Sequence, residues 1–173
     1  SADTSTCWME VEGRPTTLIA LNVGVFIVGA ARDGGGLGGN VITATQADLG
    51  VSKAILQGRV GGLDGLPIPA HEWYRLATAG FVHFGIFHIA MNMFLLYQLG
   101  TMLERELGRV NFALAYLAAL LAGSTGALIA SPWALSGGAS GAVFGLMGLA
   151  AVGMKQRGVN PFQTGLGVTL LLN

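Results

Sequence analysis

The sequence predicts an all-α protein that crosses a membrane several times. Its 173 residues are 52% apolar and only 10% charged, whereas soluble globular chains carry about 25% charged residues. The charges leave long gaps: none lies between Arg75 and Glu104, and none between Arg109 and Lys155. A chain so poor in charge cannot cover a water-exposed surface, so its main solvent is lipid. Nine basic residues balance nine acidic ones, and nothing indicates a nucleic-acid partner.

The first apolar run follows a short polar segment. Residues 1–14 are polar and mixed in charge, and we interpret them as a cytoplasmic lead-in to a membrane domain over 15–173. Pro15 to Ala31 carries no charge and is closed by Arg32 and Asp33. Its length meets the lower bound of about 17 residues for a spanning helix. A helix in the core of a soluble protein is the alternative for this run.

A long glycine-rich connection follows, from Asp33 to about His71. Gly34 to Gly39 is almost entirely glycine, which disfavours a helix. We predict one short amphipathic helix over 46–57, anchored by Leu49, Ile55 and Leu56. Loops this long are uncommon and are usually functional or disordered.

The charge-free gaps predict the remaining helices. The gap after Arg109 is long enough for two crossings, and Pro132 divides it because proline ends the helix that precedes it. Turn residues at Gly158 to Pro161 then end the last complete helix. We predict a second helix over 84–103, a third over 110–130, a fourth that begins near Ser140 and a fifth that begins over 162–172.

Charges in the short loops predict the orientation. Arg105 and Arg109 follow the second helix, Lys155 and Arg157 follow the fourth, and the connection over 131–139 has no charge. Positive loops remain in the cytoplasm. This rule places the N-terminus in the cytoplasm and the Ser140 end of the fourth helix outside.

Ser140 lies among small residues at the head of an apolar run, SGAVFGLMG. Gly141, Gly145 and Gly148 recur three and four residues apart, so one helix face has no side chains and another helix can approach it closely. Ser140 itself lies where a loop becomes a helix, among backbone N–H groups without helical partners. Such donors suit an oxyanion. A plain packing stripe, with the serine bonded to its own helix, is the alternative.

His88 and Asn92 form the second polar feature of the apolar segments. They are four residues apart on the predicted second helix and share a face. Polar groups in lipid tend to face the bundle interior or a water-filled cavity. They are candidate site residues, and interhelical hydrogen bonding is the alternative.

Three blocks in order carry a family resemblance. They are HxxxxHxxxN from His83, LGxxLExxxG from Leu99 and GASGxxFGL from Gly138. Together they resemble the rhomboid family of intramembrane serine proteases, from about Trp73 to Met154. The resemblance implies a rhomboid-like bundle in which about five of six core helices are present, after a large first outer loop. The end of the long connection in this chain, Glu72 to Arg75, is similar to the aromatic–arginine end of the first outer loop in rhomboids. A plain interfacial anchor is the alternative.

The resemblance also implies the chemistry. Ser140 is the expected nucleophile, and its backbone N–H, His88 and Asn92 are the expected oxyanion donors. The expected reaction is hydrolysis of peptide bonds in or near transmembrane segments of substrate proteins, in the lipid bilayer of a bacterial plasma membrane. No cofactor and no metal is expected. Glu104 is expected to be a structural hydrogen-bond acceptor. His83 is expected to be structural, bonded near Glu104 or to the loop.

The general base is the point of departure from the family. Rhomboids use a histidine on the sixth helix, packed against the glycine face of the fourth, but this sequence has no histidine after Ser140. We expect the base beyond Asn173, with the membrane domain incomplete at its C-terminus and the 173 residues inactive alone. His88 as the base is a weaker alternative, because the oxyanion would then lose a donor.

Two other functions remain open. A catalytically inactive rhomboid-like protein that binds transmembrane segments agrees with the missing base and disagrees with the intact serine motif. A transporter or channel would predict internal repeats, and the helix pairs show none. The sequence gives no signal for an oligomeric state.

Overall fold

The computed structural model describes residues 15–34, 38, 42–57 and 72–164. Over those residues the regular elements are helices, with one isolated β-bridge. This confirms the predicted all-α class. The predicted lead-in over 1–14, most of the glycine run, His71 and the predicted fifth helix after Thr164 lie outside the described residues. The α-helices are α1 Thr16–Arg32, α2 Ala44–Leu49, α3 Lys53–Leu56, α4 Arg75–Thr78, α5 Ile86–Leu107, α6 Arg109–Ala130 and α7 Ser140–Gln156; short 3-10 helices occupy Ala79–Phe81 and Pro161–Gln163.

Two of these helices, α5 and α6, are each 22 residues long and apolar enough to cross a membrane. Helix α1 is apolar but shorter, at 17 residues. Glycines with positive φ set the bounds of α5: Gly85 at +103° precedes it and Gly108 at +77° separates it from α6. The predicted second helix therefore begins at residue 86 instead of 84 and ends at residue 107 instead of 103.

Helix α7 lies at the centre of the described bundle. It packs on α6 and α5, and its buried side chains join one core with theirs. The close helix approach predicted for the glycine face occurs at two of its three positions, and the helix that approaches is α6, the predicted third helix. A methyl group on Gly141 would lie 2.8 Å from the Gly123 Cα, and one on Gly145 would lie 2.4 Å from the Ala119 Cβ. A methyl on Gly148 would meet no described atom within 4 Å.

Helix α1 packs against α5 through a second glycine contact. A methyl group on Gly100 would lie 2.5 Å from the Pro15 Cγ and 3.2 Å from the Phe112 ring. At the opposite end of α1, a methyl on Gly29 would lie 3.0 Å from Thr45 of α2. These contacts fix α1 along α5 and place the first loop at the end of the bundle where α7 begins.

The single helix expected over 46–57 is wrong, because the segment forms two helices. The chain is extended at Gly50 and Ser52, and the Ser52 hydroxyl caps α3 by accepting from the Ile55 N–H. Thr43 caps α2 in the same way with Gln46 as its partner. Of the expected anchors, Ile55 and Leu56 are buried and Leu49 is half-buried. Two capping residues and an intervening glycine thus override the helical pattern.

Arg75 is not a plain interfacial anchor. It is 3% exposed, donates to the Ala47 carbonyl at 2.8 Å and the Gly50 carbonyl at 3.1 Å, and pairs with Glu72. Those carbonyls lie at the C-terminal end of α2, where a cation is favoured. The neighbouring Trp73 and Tyr74 are more than half exposed. Arg75 therefore binds the first loop to the bundle.

Candidate active site

The backbone before Ser140 is joined to the first loop. Val51 and Ser136 form an antiparallel bridge with N–H···O distances of 3.0 and 2.8 Å, and the Lys53 N–H donates to the Pro132 carbonyl at 2.7 Å. Val51 is fully buried at this contact. The loop that carries the serine therefore has a fixed position relative to the rest of the bundle.

Gly138 brings this loop against His88. Its φ of +113° is a conformation that side chains disfavour, and its N–H donates to the Ala79 carbonyl at 2.8 Å. A methyl group on Gly138 would lie 2.7 Å from the His88 Cε1 and 2.9 Å from its Nε2. The imidazole edge of His88 therefore lies on the backbone two residues before Ser140, in space that only glycine leaves open.

Ser140 is the first residue of α7 and is partly exposed. The two N–H groups before it are already bonded, Gly138 to the Ala79 carbonyl and Ala139 to the His83 Nε2 at 3.4 Å. Within the described residues no side chain caps α7, so the first-turn N–H groups keep their donor capacity. The Ser140 N–H is thus the first donor in this loop that is available to an oxyanion.

The hydrogen bonding of His88 assigns its tautomer. Its Nδ1 accepts from the Phe84 N–H at 3.3 Å, and its ring stacks on the Phe84 ring at a centroid distance of 6.1 Å. In a neutral imidazole with Nδ1 as acceptor, Nε2 carries the proton. His88 therefore presents an N–H donor on the same edge that contacts Gly138.

Asn92 lies one turn further along α5. It is 5% exposed, and its side-chain nitrogen donates to the His88 carbonyl at 2.8 Å. This hydrogen bond stays within α5, whereas His88 meets the serine loop at Gly138. The second amide hydrogen of Asn92 remains available as a donor.

His83 has a larger part in the site than the sequence indicated. It is 3% exposed, its Nδ1 lies 3.3 Å from the Phe81 carbonyl, and its Nε2 accepts from the Ala139 N–H. Of its two expected partners the first loop is correct for the His83 backbone, whose carbonyl accepts from the Gln46 side chain at 3.0 Å, while the imidazole bonds to the serine loop. Glu104 lies at the other end of α5, 8% exposed, and pairs with Arg109.

The environment of His83 favours its neutral form. Burial, with the neighbouring His88 acting in the same direction, lowers the pKa of its imidazole from an ordinary 6.5 to about 4. Its ring meets that of His88 edge-on at a centroid distance of 5.2 Å. Contact between residues 56 positions apart has no periodic signal, so the sequence could not name the partner. Among the described residues, no group of three His, Cys, Asp or Glu side chains could hold a metal ion.

Comparisons with known proteins identify the family that the chain matches. The rhomboid domain model matches residues 70–172. The Rhomboid protease GluP of Bacillus subtilis (strain 168) is 36% identical over 139 residues, which cover 79% of this chain and 24% of that protein. RHOMBOID-like protein 1 of Arabidopsis thaliana is 39% identical over 101 residues, 58% of this chain and 26% of that protein.

A third relative is shorter. The Putative rhomboid protease YdcA of Bacillus subtilis (strain 168) is 37% identical over 79 residues, 45% of this chain and 40% of that protein. The chain therefore spans between about a quarter and two fifths of the length of these relatives. The family match covers more than half of the chain, and the described residues form an apolar helical bundle. The chain belongs to the rhomboid family and is an integral membrane protein.

Proposed function

We propose that this protein is an intramembrane serine endopeptidase with Ser140 as its nucleophile. Two of its relatives are named rhomboid proteases. The contact between His88 and Gly138 carries the proposal, because it supports a polar donor close to the backbone two residues before the serine. The expected substrates are transmembrane proteins, cleaved in or near their spanning segments within the lipid bilayer.

Two donors with fixed positions, together with a third donor, would hold the oxyanion of the tetrahedral intermediate. One is the Ser140 N–H at the start of α7, and the other is the Nε2–H of His88. Both have fixed positions before substrate arrives, so they need no rearrangement as charge develops. Asn92 is the proposed third donor through its remaining amide hydrogen. Loss of one such donor typically raises the barrier by about 2.7–4 kcal/mol.

Neither described histidine is suited to be the general base. The Nε2 lone pair of His83 accepts from the Ala139 N–H, and the Nε2 of His88 already carries a proton. The base must take the Ser140 hydroxyl proton as Oγ attacks the carbonyl carbon, and then give it to the leaving amine. We place this base on a histidine beyond Asn173, as the family resemblance implies.

The proposed topology follows from the loop charges. The turns at 104–109 and 155–158 face the cytoplasm, together with a lead-in over 1–14. The serine end then opens outward beneath the first loop, in a membrane domain that begins at residue 15. A bacterial plasma membrane is the proposed location.

The direct test is cleavage of a model transmembrane substrate by the full-length protein in proteoliposomes. Ser140→Ala should abolish cleavage and leave the thermal unfolding midpoint unchanged. Ser131→Ala is the matched control, because Ser131 is exposed at the end of α6 and should leave cleavage unchanged. Cleavage retained by Ser140→Ala would remove this serine from the mechanism.

The second candidate is a catalytically inactive rhomboid-like protein that binds transmembrane segments. It is favoured by the absence of a suitable base among the described residues. A fluorophosphonate probe separates the two, since it reacts only with an activated serine. We expect labelling at Ser140 in the full-length protein and little in residues 1–173 alone. No labelling of the full-length protein would favour the inactive binder, and strong labelling of the shorter chain would contradict a base beyond Asn173.

A further inference from the structure

We infer that His83 is a positioning residue, which holds both the peptide before Ser140 and the ring of His88 in their working positions. The inference rests on the proposed function, because the groups that His83 would position are the proposed nucleophile and the proposed oxyanion donor. His83 belongs to neither helix of the site. It lies in the short connection between the Ala79–Phe81 3-10 helix and α5, and it is 3% exposed.

The two hydrogen bonds of the His83 ring define its role. The Phe81 carbonyl can only accept, so the Nδ1 at 3.3 Å must carry the ring proton. The Nε2 then presents a lone pair, which is what the Ala139 N–H at 3.4 Å requires. Both bonds are satisfied by one neutral tautomer. It is the opposite tautomer to that of His88, whose Nδ1 accepts.

The backbone position of Ala139 directly affects the position of Ser140. Ala139 is fully buried and is the N-cap residue of α7, with φ −69° and ψ −2°. The Ala139 N–H belongs to the peptide between Gly138 and Ala139, so a shift of that peptide would displace the Ala139 Cα and, with it, the Ser140 N–H and side chain. Without an acceptor, a buried N–H such as that of Ala139 also destabilises the loop.

The same ring supports His88 from the side. The two imidazoles meet edge-on at a centroid distance of 5.2 Å, while Phe84 stacks on His88. The backbone of His83 is fixed in turn by the first loop, since the Gln46 side chain donates to the His83 carbonyl at 3.0 Å. Gln46 is 4% exposed and belongs to the capping box of α2. His83 therefore connects the first loop to both groups of the oxyanion site.

Two substitutions separate the acceptor from the ring. His83→Phe keeps an aromatic edge against His88 and removes the acceptor, whereas His83→Gln keeps an oxygen acceptor at the reach of Nε2. In the full-length protein we expect His83→Phe to lower kcat by about ten- to hundredfold with KM unchanged. His83→Gln should recover most of that loss. Asn111→Ala is the control, because Asn111 bonds back to Leu107 on an exposed face.

A measurement without catalysis keeps the inference separate from the proposed function. In protein labelled with ¹⁵N-histidine at neutral pH, the His83 nitrogens should report a protonated Nδ1 and an unprotonated Nε2. The Ala139 amide hydrogen should exchange slowly with solvent in the wild type and in His83→Gln, and faster in His83→Phe. This readout applies even if Ser140→Ala retains cleavage and the protease proposal fails.

Several results would overturn the inference. They are a His83→Phe enzyme as active as the wild type, equal losses in the Phe and Gln variants, or an Nε2 that carries the proton. If His83→Phe does not fold, the ¹⁵N spectrum and the His83→Gln variant decide alone. Should Ser140→Ala be inactive while His83→Phe remains active, only this inference fails.

Discussion

The two ends of the described bundle are held together by different interactions. At the end that carries Ser140, buried side chains bond to backbone groups: His83 to Ala139, Gln46 to His83 and Arg75 to two loop carbonyls. At the opposite end, between α5, α6 and α7, Arg157 pairs with Glu106. Both of those side chains are more than two fifths exposed.

The difference indicates which end of the bundle has a precisely defined geometry. Exposed ion pairs contribute little to stability and tolerate change, because water competes for both partners. Buried hydrogen bonds to fixed backbone groups are costly to break and define one geometry. The end proposed to stabilise an oxyanion carries these buried hydrogen bonds as well as the exposed Arg32–Asp48 pair. The predictions below test this contrast, beginning with the largest expected effect.

Gly138→Ala should have the largest effect on activity. Its methyl group would lie 2.9 Å from the His88 Nε2, so the imidazole must move away from the serine loop. We expect cleavage to fall by roughly hundredfold or more, since small displacements in an active site have effects of that size. Cleavage of a transmembrane substrate, normalised to folded protein, is the measurement.

Gly108→Ala is the matched control for this variant. Gly108 also has a positive φ, +77°, but a methyl there meets no described atom within 4 Å. Both variants should lose about 1–3 kcal/mol of stability through backbone strain, and only Gly138→Ala should lose the chemistry. Equal activity in the two variants would contradict the His88 contact.

Arg75→Gln should have the largest effect on the attachment of the first loop. It removes a buried cation from Glu72 and from two carbonyls, and breaking a buried pair typically costs about 3–5 kcal/mol. Arg32→Gln is the control: Arg32 pairs with Asp48 of the same loop, but its side chain is 59% exposed. We expect a loss of about 0–1 kcal/mol there. Similar shifts of the two unfolding midpoints in detergent would argue against a loop held by Arg75.

The His83 imidazole should make stability depend on pH. Its pKa is lowered to about 4 by burial and by His88, so the folded state binds this proton less readily than the unfolded state. Above pH 6.5 the stabilisation is fully present. As the pH falls from 6.5 towards 4 the unfolded chain takes up the proton, and about 3 kcal/mol is lost.

His83→Gln isolates this contribution from those of other groups near the ring. His88 lies beside it, and Asp33 lines a small cavity with it. The difference in unfolding midpoint between the wild type and His83→Gln should shrink as the pH falls through this range. A difference that does not change between pH 4 and 7 would contradict a buried neutral His83.

Arg157→Ala should have the smallest effect. Its partner Glu106 and Arg157 itself are both solvent-exposed, and salt screens such pairs. We expect no measurable change in cleavage and no shift in the unfolding midpoint at physiological ionic strength. A substantial loss of activity would show that the end opposite Ser140 also determines the site geometry.

Much of the bundle could be predicted from charge-free runs and helix-ending residues. The ends of α6, the break at Pro132 and the start of α7 at Ser140 follow from local chemistry that acts within a few residues. The helices of the first loop could not be predicted as easily, because Gly50 and Ser52 divide a segment whose sequence pattern is that of one helix. A single glycine is a weak signal, and capping depends on backbone angles that the sequence does not show.

The long-range contacts of the site could not be predicted. The bridge between Val51 and Ser136, and the bond between His83 and Ala139, join segments that are distant in sequence and have no repeating pattern. The glycine stripe indicated that a helix approaches α7, and the family resemblance assigned the sixth helix of the family to that face. Against Gly141 and Gly145 the structure has α6, which is the predicted third helix.

The most direct test of the proposed oxyanion site is an experimental structure of the full-length protein with a phosphonate bound to Ser140. The phosphoryl oxygen should lie within hydrogen-bond distance of the Ser140 N–H and of the His88 Nε2. A phosphonate on Ser140 whose oxygen points away from His88, or a probe attached to another residue, would contradict the proposed mechanism.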